Sequence, residues 1–319
     1  MLRVAGASRP RSGLLSIDRV SVADCDRFAV RRGSLASHLS PGSRFAATPN
    51  TMNLSRAIHG FQHYGNPWQL LLQRALGSRL KLFNVKDRAT GVACWCTPGS
   101  HRMFGEVWFY KNYDVPGVPL RRGDLVLDIG ANQAFFSCYA AQKGARVIAF
   151  EPDPTSFAML ERNLARNNFS ARVTTRCEAV GPERGVADFY VSPMLGGGMN
   201  TTSAVFASRF DHVRSVQVSS VTLSDVLSEN QGERIRLCKL DCEGAELEIL
   251  RSLDPGEAAL IDGFALEYHS AAYQVEELIE CMLAWETHEI MFASANGGAP
   301  VTVIHAIAKR ELRQFAAAL

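Results

Sequence analysis

Two short apolar runs, each associated with an acidic residue at its end, limit the folds open to this chain. The first, 126–129, contains Asp128, and the second, 147–150, is followed at once by Glu151. A helix-like segment separates them, so the pattern predicts a βαβ unit with one carboxylate near the carboxyl end of each strand. In doubly wound sheets, cofactors that carry adenosine bind at this edge, and the second acid hydrogen-bonds the ribose hydroxyls.

Strands and helices alternate from residue 123 onward. We predict strands at 125–129, 146–150, 172–176, 216–221, 235–240 and 260–267. We predict helices at 133–143, from Asp153-Pro154 to Asn167-Asn168, and at 222–230, 243–252 and 274–285, with an irregular region at 182–215. The tail differs, because Glu289–Ser294 and Val301–Ala308 are typical of two strands joined by a turn at Asn296-Gly297-Gly298. The prediction is an α/β, Rossmann-like fold whose mostly parallel seven-stranded sheet ends in an antiparallel hairpin, as in class I methyltransferases.

The chain divides into three parts by composition. Residues 1–51 carry eight Arg, no Lys and three Asp without sustained periodicity, which predicts a disordered extension. Two alternatives stay open for this segment: an organellar transit peptide, or a biological start at Met52. Residues 52–120 are predicted as an α/β lead-in with a helix at Trp68–Leu76, ended by Gly77, and strands around 80–86 and 91–97. Residues 121–312 form the predicted catalytic domain.

Charge and cysteine usage narrow the class of protein. Because the whole chain carries +2 and residues 1–51 carry +5, the remainder carries −3 and has no basic surface for nucleic acid. No apolar run reaches the roughly 18 residues of a membrane span, and the N-terminus lacks the pattern of a secretory signal. The eight cysteines are scattered without zinc spacing, which favours buried free thiols in a reducing cytoplasm and no metal.

The first motif favours a cofactor without phosphate. A pyrophosphate needs close backbone approach at several glycines, but after Gly130 the later positions are Asn132 and Ala134. S-adenosylmethionine has no phosphate, so a single glycine can supply the sharp turn. Asp128 would then receive the ammonium of the cofactor, directly or through water, and Glu151 would accept both ribose hydroxyls. The alternative for Asp128 is that it only caps the following helix.

Four runs together resemble the FkbM family of S-adenosylmethionine-dependent methyltransferases, over about residues 123–268. The runs are 126–132, 150–154, 178–181 and, most specifically, Lys239-Leu240-Asp241-Cys242-Glu243-Gly244-Ala245-Glu246. The resemblance implies a class I fold and methyl transfer, usually to a hydroxyl oxygen of a sugar, glycan or secondary metabolite. It also implies cofactor contacts at Asp128, Gly130, Asn132, Glu151, Glu178 and Ala179. Gln133-Ala134 departs from the aliphatic residue and glycine common in the family, so we expect weaker cofactor binding.

The run 239–246 also lies where chemistry is expected, because a predicted strand ends there at the carboxyl edge of the sheet. Methyl transfer to a hydroxyl must align the acceptor and remove its proton. Asp241 is the candidate base or acceptor-orienting carboxylate. Lys239, on the same strand face, would tether that carboxylate or favour the developing alkoxide. The alternative is that Asp241, Glu243 and Glu246 only stabilise the N-terminus of the next helix.

Other side chains near the same edge have two interpretations each. His269 is an alternative general base, with an ordinary pKa of about 6.5, or a structural residue. Phe135 and Phe136 offer ring faces to a sulfonium or pack in the core. The aromatic cluster at 104–114 is a packing seam or one wall of a substrate pocket. Residues Gly196–Ser203 are a lid over the substrate or an ordinary surface loop.

These observations predict a cytoplasmic S-adenosylmethionine-dependent O-methyltransferase that acts on a small-molecule or glycan hydroxyl. Two alternatives remain. A nicotinamide-dependent oxidoreductase lacks support from the glycine pattern, and a non-catalytic protein could keep the fold and the cofactor without turnover. No motif identifies the acceptor or sets the oligomeric state.

Overall fold

The computed structural model describes residues 63–191, 200–209, 213–294 and 302–317. The predictions for residues 1–51 and for the turn at 296–298 therefore lie outside the described residues. The same holds for the first part of the predicted lid, residues 196–199.

The lead-in contains two helices and a small sheet. Helix α1 spans Trp68–Leu76 and ends at Gly77, whose positive φ of 54° ends the helix as predicted. Strands β1 (Phe83–Lys86) and β2 (Ala93–Cys96) pair antiparallel, and helix α2 (His101–Trp108) follows. Both strands are shorter than the runs that predict them.

Seven strands form the central sheet, in the order β11-β12-β10-β9-β3-β4-β5. Only β12 runs antiparallel to its neighbours, so the predicted class I methyltransferase fold is confirmed. The strands are β3 (Leu125–Ile129), β4 (Arg146–Phe150), β5 (Val173–Arg176), β9 (Ile235–Leu240), β10 (Gly263–Tyr268), β11 (His288–Ser294) and β12 (Thr302–Ala308).

The helices pack on both faces of this sheet. They are α3 (Phe135–Gln142), α4 (Pro154–Arg166), α5 (Ala204–Ala207), α6 (Leu223–Glu229), α7 (Glu246–Arg251), α8 (Pro255–Ala258), α9 (Val275–Leu283) and α10 (Lys309–Ala317). Asp153 caps α4 by accepting the Ser156 N–H at 2.9 Å, and Pro154 takes the first helical position, as predicted. None of the helices in the described part of the chain has the length and apolar character needed to cross a membrane.

Two helices begin later than predicted, for the same physical reason. Helix α3 starts at Phe135 because Asn132 and Ala134 adopt left-handed backbone, with φ of 47° and 64°. Helix α7 starts at Glu246 because Glu243 and Gly244 do the same, with φ of 54° and 102°. Left-handed residues cannot continue a right-handed helix, so both loops extend at the carboxyl edge of the sheet.

The prediction of an irregular region at 182–215 is wrong at two strands among its described residues. Strand β7 (Gly185–Val191) pairs antiparallel with β8 (Arg214–Val221), and β8 pairs with β6 (Ala179–Val180) in a separate three-stranded sheet. Strand β7 is mostly exposed, with Val186 71% exposed, so it lacks the alternation that identifies a half-buried strand.

The central strands are buried along their whole length, which decides where the charged side chains go. Every residue of β3 and of β9 is buried, including Asp128 at 0% and Lys239 at 4% exposure. Both faces of these strands are covered by apolar clusters. The two charged residues therefore face each other inside the sheet rather than solvent.

Candidate active site

A crevice opens at the carboxyl edge of the central sheet, where the loops after β3, β4, β5 and β9 meet. It encloses about 610 Å³ when its open mouth is included. Six of the residues selected from the sequence lie along it: Gly130, Asn132, Glu151, Glu178, Ala179 and Asp241. The fold thus brings five of the six predicted cofactor residues and the predicted base to one cavity, and leaves Asp128 outside its lining.

Gly130 lets two loops touch at the floor of the crevice. Its φ is +76°, and a Cβ atom built there would lie 2.0 Å from the carbonyl oxygen of Asp241. No other residue fits that space, and no L side chain adopts that backbone without strain. The single glycine of the first motif is therefore needed for the close contact between the ends of β3 and β9.

Glu151 is held with both carboxylate oxygens directed by backbone N–H groups. Asn132 N–H donates to Oε2 and Asp153 N–H donates to Oε1, each at 2.8 Å. Burial, at 6% exposure, raises the pKa of Glu151 to about 7 despite these two hydrogen bonds. Each oxygen keeps a lone pair for a further donor, which is the geometry that a ribose diol needs.

Asp128 and Lys239 form a buried ion pair behind the crevice. Their residues are neighbours in the β3–β9 register, and Lys239 Nζ lies 3.4 Å from Asp128 Oδ1. The same ammonium donates to the Gly130 carbonyl at 2.7 Å and lies 3.4 Å from Asp241 Oδ2. Burial lowers the pKa of Lys239, but the carboxylates of Asp241 and Asp128 outweigh it and raise the pKa above its usual value. Neither Asp128 nor Lys239 lies along the crevice wall.

His269 is fixed between two glutamates at the end of β10. Its Nδ1 lies 3.0 Å from Glu246 Oε1 and its Nε2 lies 3.2 Å from Glu243 Oε2. Burial lowers the pKa of His269, but the Glu246 and Glu243 carboxylates outweigh it, and the pKa lies well above 6.5. The ring is therefore an imidazolium at neutral pH, with both N–H groups donated to carboxylates.

Glu246 stabilises the loop before α7 by hydrogen bonds. A stabilising role at the N-terminus of this helix is one of the two roles predicted for the acids of residues 239–246. Its carboxylate accepts the N–H groups of Cys242 at 2.8 Å and of Gly244 at 3.1 Å, and the Tyr273 hydroxyl at 2.9 Å. The side chain is fully buried. It thus orients His269 and shapes the left-handed turn at the same time.

Two residues of the site, Tyr113 and Glu267, are not among the candidates chosen from the sequence. The Tyr113 hydroxyl lies 3.1 Å from Asp241 Oδ2 and 3.1 Å from Glu267 Oε2. The aromatic cluster at 104–114 gave the one signal, through its interpretation as a pocket wall. Glu267 is the last residue of the predicted strand 260–267, two residues before His269, but the sequence assigned it no role.

The phenylalanines and Gln133 face away from the crevice. Phe135 and Phe136 are buried and pack against Phe104 and Tyr113 at centroid distances of 5.8 and 5.5 Å, in the core role. The Gln133 side chain donates to Thr97 Oγ1 at 2.9 Å. Gln133-Ala134, where this chain departs from the family pattern, therefore adds no side chain to the crevice lining.

One group of side chains has metal-like spacing. Asp241, Glu267 and His269 each offer an atom within 4.8 Å of the others. Tyr113 lies 3.1 Å from Asp241 Oδ2 and from Glu267 Oε2, and His269 Nε2 lies 3.2 Å from Glu243 Oε2, so these groups also bond to one another and to neighbouring side chains. We assign no metal site to them.

The sheet order and the crevice define a class I methyltransferase, and comparison with known proteins identifies the family. The Methyltransferase FkbM domain matches residues 128–291, about half of the chain. The chain belongs to the FkbM methyltransferase family, which decides against the nicotinamide-dependent alternative.

Two curated relatives and one solved structure are similar to this chain. The 31-O-demethyl-FK506 methyltransferase FkbM of Streptomyces tacrolimicus is 30% identical over 203 residues, covering 56% of this chain and 77% of that protein. Methyltransferase 1 of Beauveria bassiana (strain ARSEF 2860) is 30% identical over 177 residues, covering 51% and 70%. The crystal structure of Methyltransferase FkbM from Methylobacillus flagellatus KT gives a TM-score of 0.40 at 15% identity, covering 76% of this chain and 59% of that one.

The cofactor of the family is S-adenosylmethionine, and the crevice fits it. Among the described residues, the buried Asn132 Oδ1 has no hydrogen-bond partner although Asn132 lines the crevice. Glu151 presents two directed oxygens to the same space, and Gly130 keeps the floor free of side chains. An unpaired acceptor beside a buried carboxylate is expected where a polar cofactor completes the hydrogen bonds.

Proposed function

We propose that this enzyme transfers the methyl group of S-adenosylmethionine to a hydroxyl oxygen of a small molecule or glycan. Support for the oxygen acceptor comes from Asp241, a carboxylate at the crevice beside the loop that carries Gly130. It also comes from the Streptomyces tacrolimicus relative, whose name specifies an O-methyl position. When bound, the cofactor would supply the methyl carbon: a carbon–oxygen bond to the acceptor would replace the carbon–sulfur bond, whose electron pair would stay on sulfur.

At the cofactor end, we propose direct contacts from Gly130, Asn132, Glu151, Glu178 and Ala179. Glu151 accepts the ribose hydroxyls, and the free Asn132 Oδ1 accepts a further donor. Asp128 is fully buried, so we assign it a positioning role. It holds Lys239, and Lys239 in turn holds the Gly130 carbonyl at 2.7 Å.

At the acceptor end, we propose Asp241 as the group that receives the hydroxyl proton. The raised pKa of His269 favours this assignment, because an imidazolium whose two N–H groups are donated cannot take a proton. His269 instead supplies positive charge, with Nε2 at 4.0 Å from Asp241 Oδ1. Lys239 supplies a second positive charge at Asp241 Oδ2.

The setting that we propose for this reaction is the cytoplasm, with no nucleic acid in the complex. The seven cysteines in the described part of the chain are all free thiols, as a reducing compartment would keep them.

Incubation of the purified protein with methyl-labelled S-adenosylmethionine and a metabolite extract of its host tests the proposal. We expect label to appear in neutral hydroxyl-bearing compounds, identified by mass and by the position of the methyl group. Asp241→Asn should lower the initial rate at least about 100-fold, because general-base catalysis contributes at least that much, while cofactor affinity is retained.

Cofactor binding without transfer to any compound of the extract would instead favour a non-catalytic protein. Label found on nitrogen or carbon would overturn the choice of acceptor. Full turnover by Asp241→Asn would overturn the choice of base.

A further inference from the structure

The hydroxyl of Tyr113 joins two carboxylates of the acceptor end and reaches them from outside the segment that the family match covers. Tyr113 lies in the loop between α2 and β3, whereas the match begins at residue 128. The side chain is buried, and its ring meets Phe136 edge-on at a centroid distance of 5.5 Å. The lead-in thus contributes a polar group to the site.

Both neighbours of Tyr113 are anchored to the catalytic domain. His305 Nε2 on β12 donates to the Asn112 carbonyl at 2.8 Å, and the Tyr139 hydroxyl on α3 donates to the Asp114 carboxylate at 2.8 Å. A loop fixed on each side of one residue has little freedom to move it. The position of the Tyr113 hydroxyl is therefore set by the fold, before any ligand binds.

Two hydrogen bonds join the Tyr113 hydroxyl to Asp241 and to Glu267, and each of these bonds needs one proton. The phenol lies 3.1 Å from Asp241 Oδ2 and 3.1 Å from Glu267 Oε2, but it carries only one proton. A second proton must sit on one of the carboxyl groups. Lys239 Nζ is 3.4 Å from Asp241 Oδ2 and favours the ionised form there, which leaves the proton on Glu267. Burial and the charge of Asp241 also raise the pKa of Glu267 well above its usual range.

The two oxygens of Asp241 consequently differ. Oδ2 accepts from Tyr113 and lies 3.4 Å from Lys239 Nζ, whereas Oδ1 lies 4.0 Å from His269 Nε2. A carboxylate gripped at one oxygen cannot rotate freely, so the other oxygen keeps a fixed direction.

We propose that Tyr113 is a positioning residue: it ties Asp241 Oδ2 to a protonated Glu267, so that Oδ1 takes the hydroxyl proton of the methyl acceptor. The inference rests on the proposed methyl transfer to oxygen. The bonds made and broken are those already given, and the acceptor proton ends on Asp241 Oδ1, to be released to solvent after product leaves. The lead-in is then part of the active site.

The surroundings of Asp241 decide the pH dependence to expect. The titratable groups that face it are Glu106 on α2, Tyr113, Lys239 on β9, Cys242 and Glu243 after β9, and Glu267 and His269 at the end of β10. Among these, Tyr113 is the neutral donor to Oδ2. Its donation stabilises the ionised carboxylate over the neutral acid, so without it the acid limb of the rate profile moves to higher pH.

The test compares Tyr113→Phe with Tyr64→Phe. Tyr64 is a buried tyrosine of the same lead-in whose hydroxyl donates to the His101 carbonyl at 3.2 Å, so the control also loses one hydroxyl. Initial rates are measured with saturating methyl-labelled S-adenosylmethionine and a fixed metabolite extract. We expect Tyr113→Phe to lower the rate about tenfold at pH 7 and to shift the acid limb up by about one pH unit, as one hydrogen bond to a charged group implies. Tyr64→Phe should keep the wild-type rate and profile.

Two further measurements do not depend on turnover. Cofactor affinity by calorimetry should stay within about twofold for Tyr113→Phe, because the hydroxyl faces the acceptor end. In the cofactor-free protein, one infrared carboxyl band of a protonated acid should be lost in Glu267→Gln, because the amide cannot carry that proton.

The outcomes separate this inference from the function on which it rests. If the wild-type protein fails to bind the cofactor or to transfer label, the proposed function is refuted. Normal wild-type turnover together with an unchanged rate and pH profile in Tyr113→Phe overturns only the role of Tyr113. Equal losses of rate, cofactor affinity and melting temperature in Tyr113→Phe would make the residue merely structural, and an unchanged carboxyl band in Glu267→Gln would show that the proton is not on Glu267.

Discussion

The carboxylate of Glu151 ties cofactor affinity to pH. Burial raises its pKa to about 7, so the side chain is half protonated in the cofactor-free protein at neutral pH. The ribose hydroxyls need the ionised form, and the proton must leave before they bind. We expect affinity for S-adenosylmethionine to rise as pH rises through 7 and to be about tenfold higher at pH 8 than at pH 6. Isothermal titration at several pH values measures this directly.

The matched variants are Glu151→Gln and Glu161→Gln. Glutamine at 151 keeps the size but loses the charge and one acceptor, so affinity should fall at least about tenfold and lose its pH dependence. Glu161 is exposed on α4 and should change nothing. Unchanged binding by Glu151→Gln would refute the ribose assignment.

At the residue scale, spacing along the chain predicts only some of the site. Glu151 follows Asp128 across one βαβ unit, so a local pattern places it at the edge of the sheet. The same pattern does not predict that Asp128 is fully buried behind the crevice, where it pairs with Lys239 on a neighbouring strand. Tyr113 is harder still, because its partner Asp241 lies 128 residues away in the chain and the contact depends on how one loop is anchored.

At the scale of elements, the turn between β3 and α3 limits stability. Gly130→Ala would place a Cβ atom 2.0 Å from the Asp241 carbonyl oxygen, so the ends of β3 and β9 must separate. We expect the free energy of unfolding to fall by about 3 kcal/mol, from left-handed strain plus overpacking, and cofactor binding to be lost. Urea denaturation and calorimetry measure the two effects.

Gly232→Ala separates strain from contact. Gly232 has a similar φ of +68°, but a Cβ atom there would meet nothing within 4 Å. The control should lose only about 1 kcal/mol and bind the cofactor normally. If both variants lose the same stability, the close approach at Gly130 costs nothing and the packing argument fails.

Element types were easier to predict than element starts, and the reason is visible in the loops. The apolar pattern predicts helices α3 and α7 correctly. In the structure, however, left-handed residues stand where the first turn of each helix is predicted, and they form loops at the crevice. Ala134 and Glu243 are residue types that rarely adopt a positive φ, so the sequence gives no sign of it there. Asn132 is of a type enriched at positive φ, but asparagine is equally common as the residue that caps a helix. Strand β7 was missed because an exposed strand in a small second sheet gives no periodic burial.

At the scale of the molecule, two asparagines attach the lead-in to the catalytic domain, one in α4 and one at the C-terminal cap of that helix. Asn163 accepts the Trp95 N–H at 2.7 Å and donates to the Trp95 carbonyl at 3.0 Å, while Asn167 makes the same pair of bonds with Ala93. The two side-chain amides thus hydrogen-bond the backbone N–H and C=O groups at the free edge of β2, as a neighbouring strand would. Asn163 is fully buried and also donates to the Gln133 carbonyl at 2.8 Å, beside the start of α3.

This attachment predicts that the lead-in and the central sheet unfold together. Hydrogen exchange followed by mass spectrometry across a urea series should give one midpoint for β1, β2, β3 and β9 in the wild type. Asn163→Ala leaves buried backbone groups of Trp95 and Gln133 unpaired, which should cost about 3 kcal/mol and release β2 at lower urea than β3. Exposed Glu161→Ala on the same helix should leave the single midpoint in place. Earlier release of β1 and β2 in the wild type would mean that the lead-in is a separate unit, and Tyr113 would then lack the rigid support that its proposed role requires.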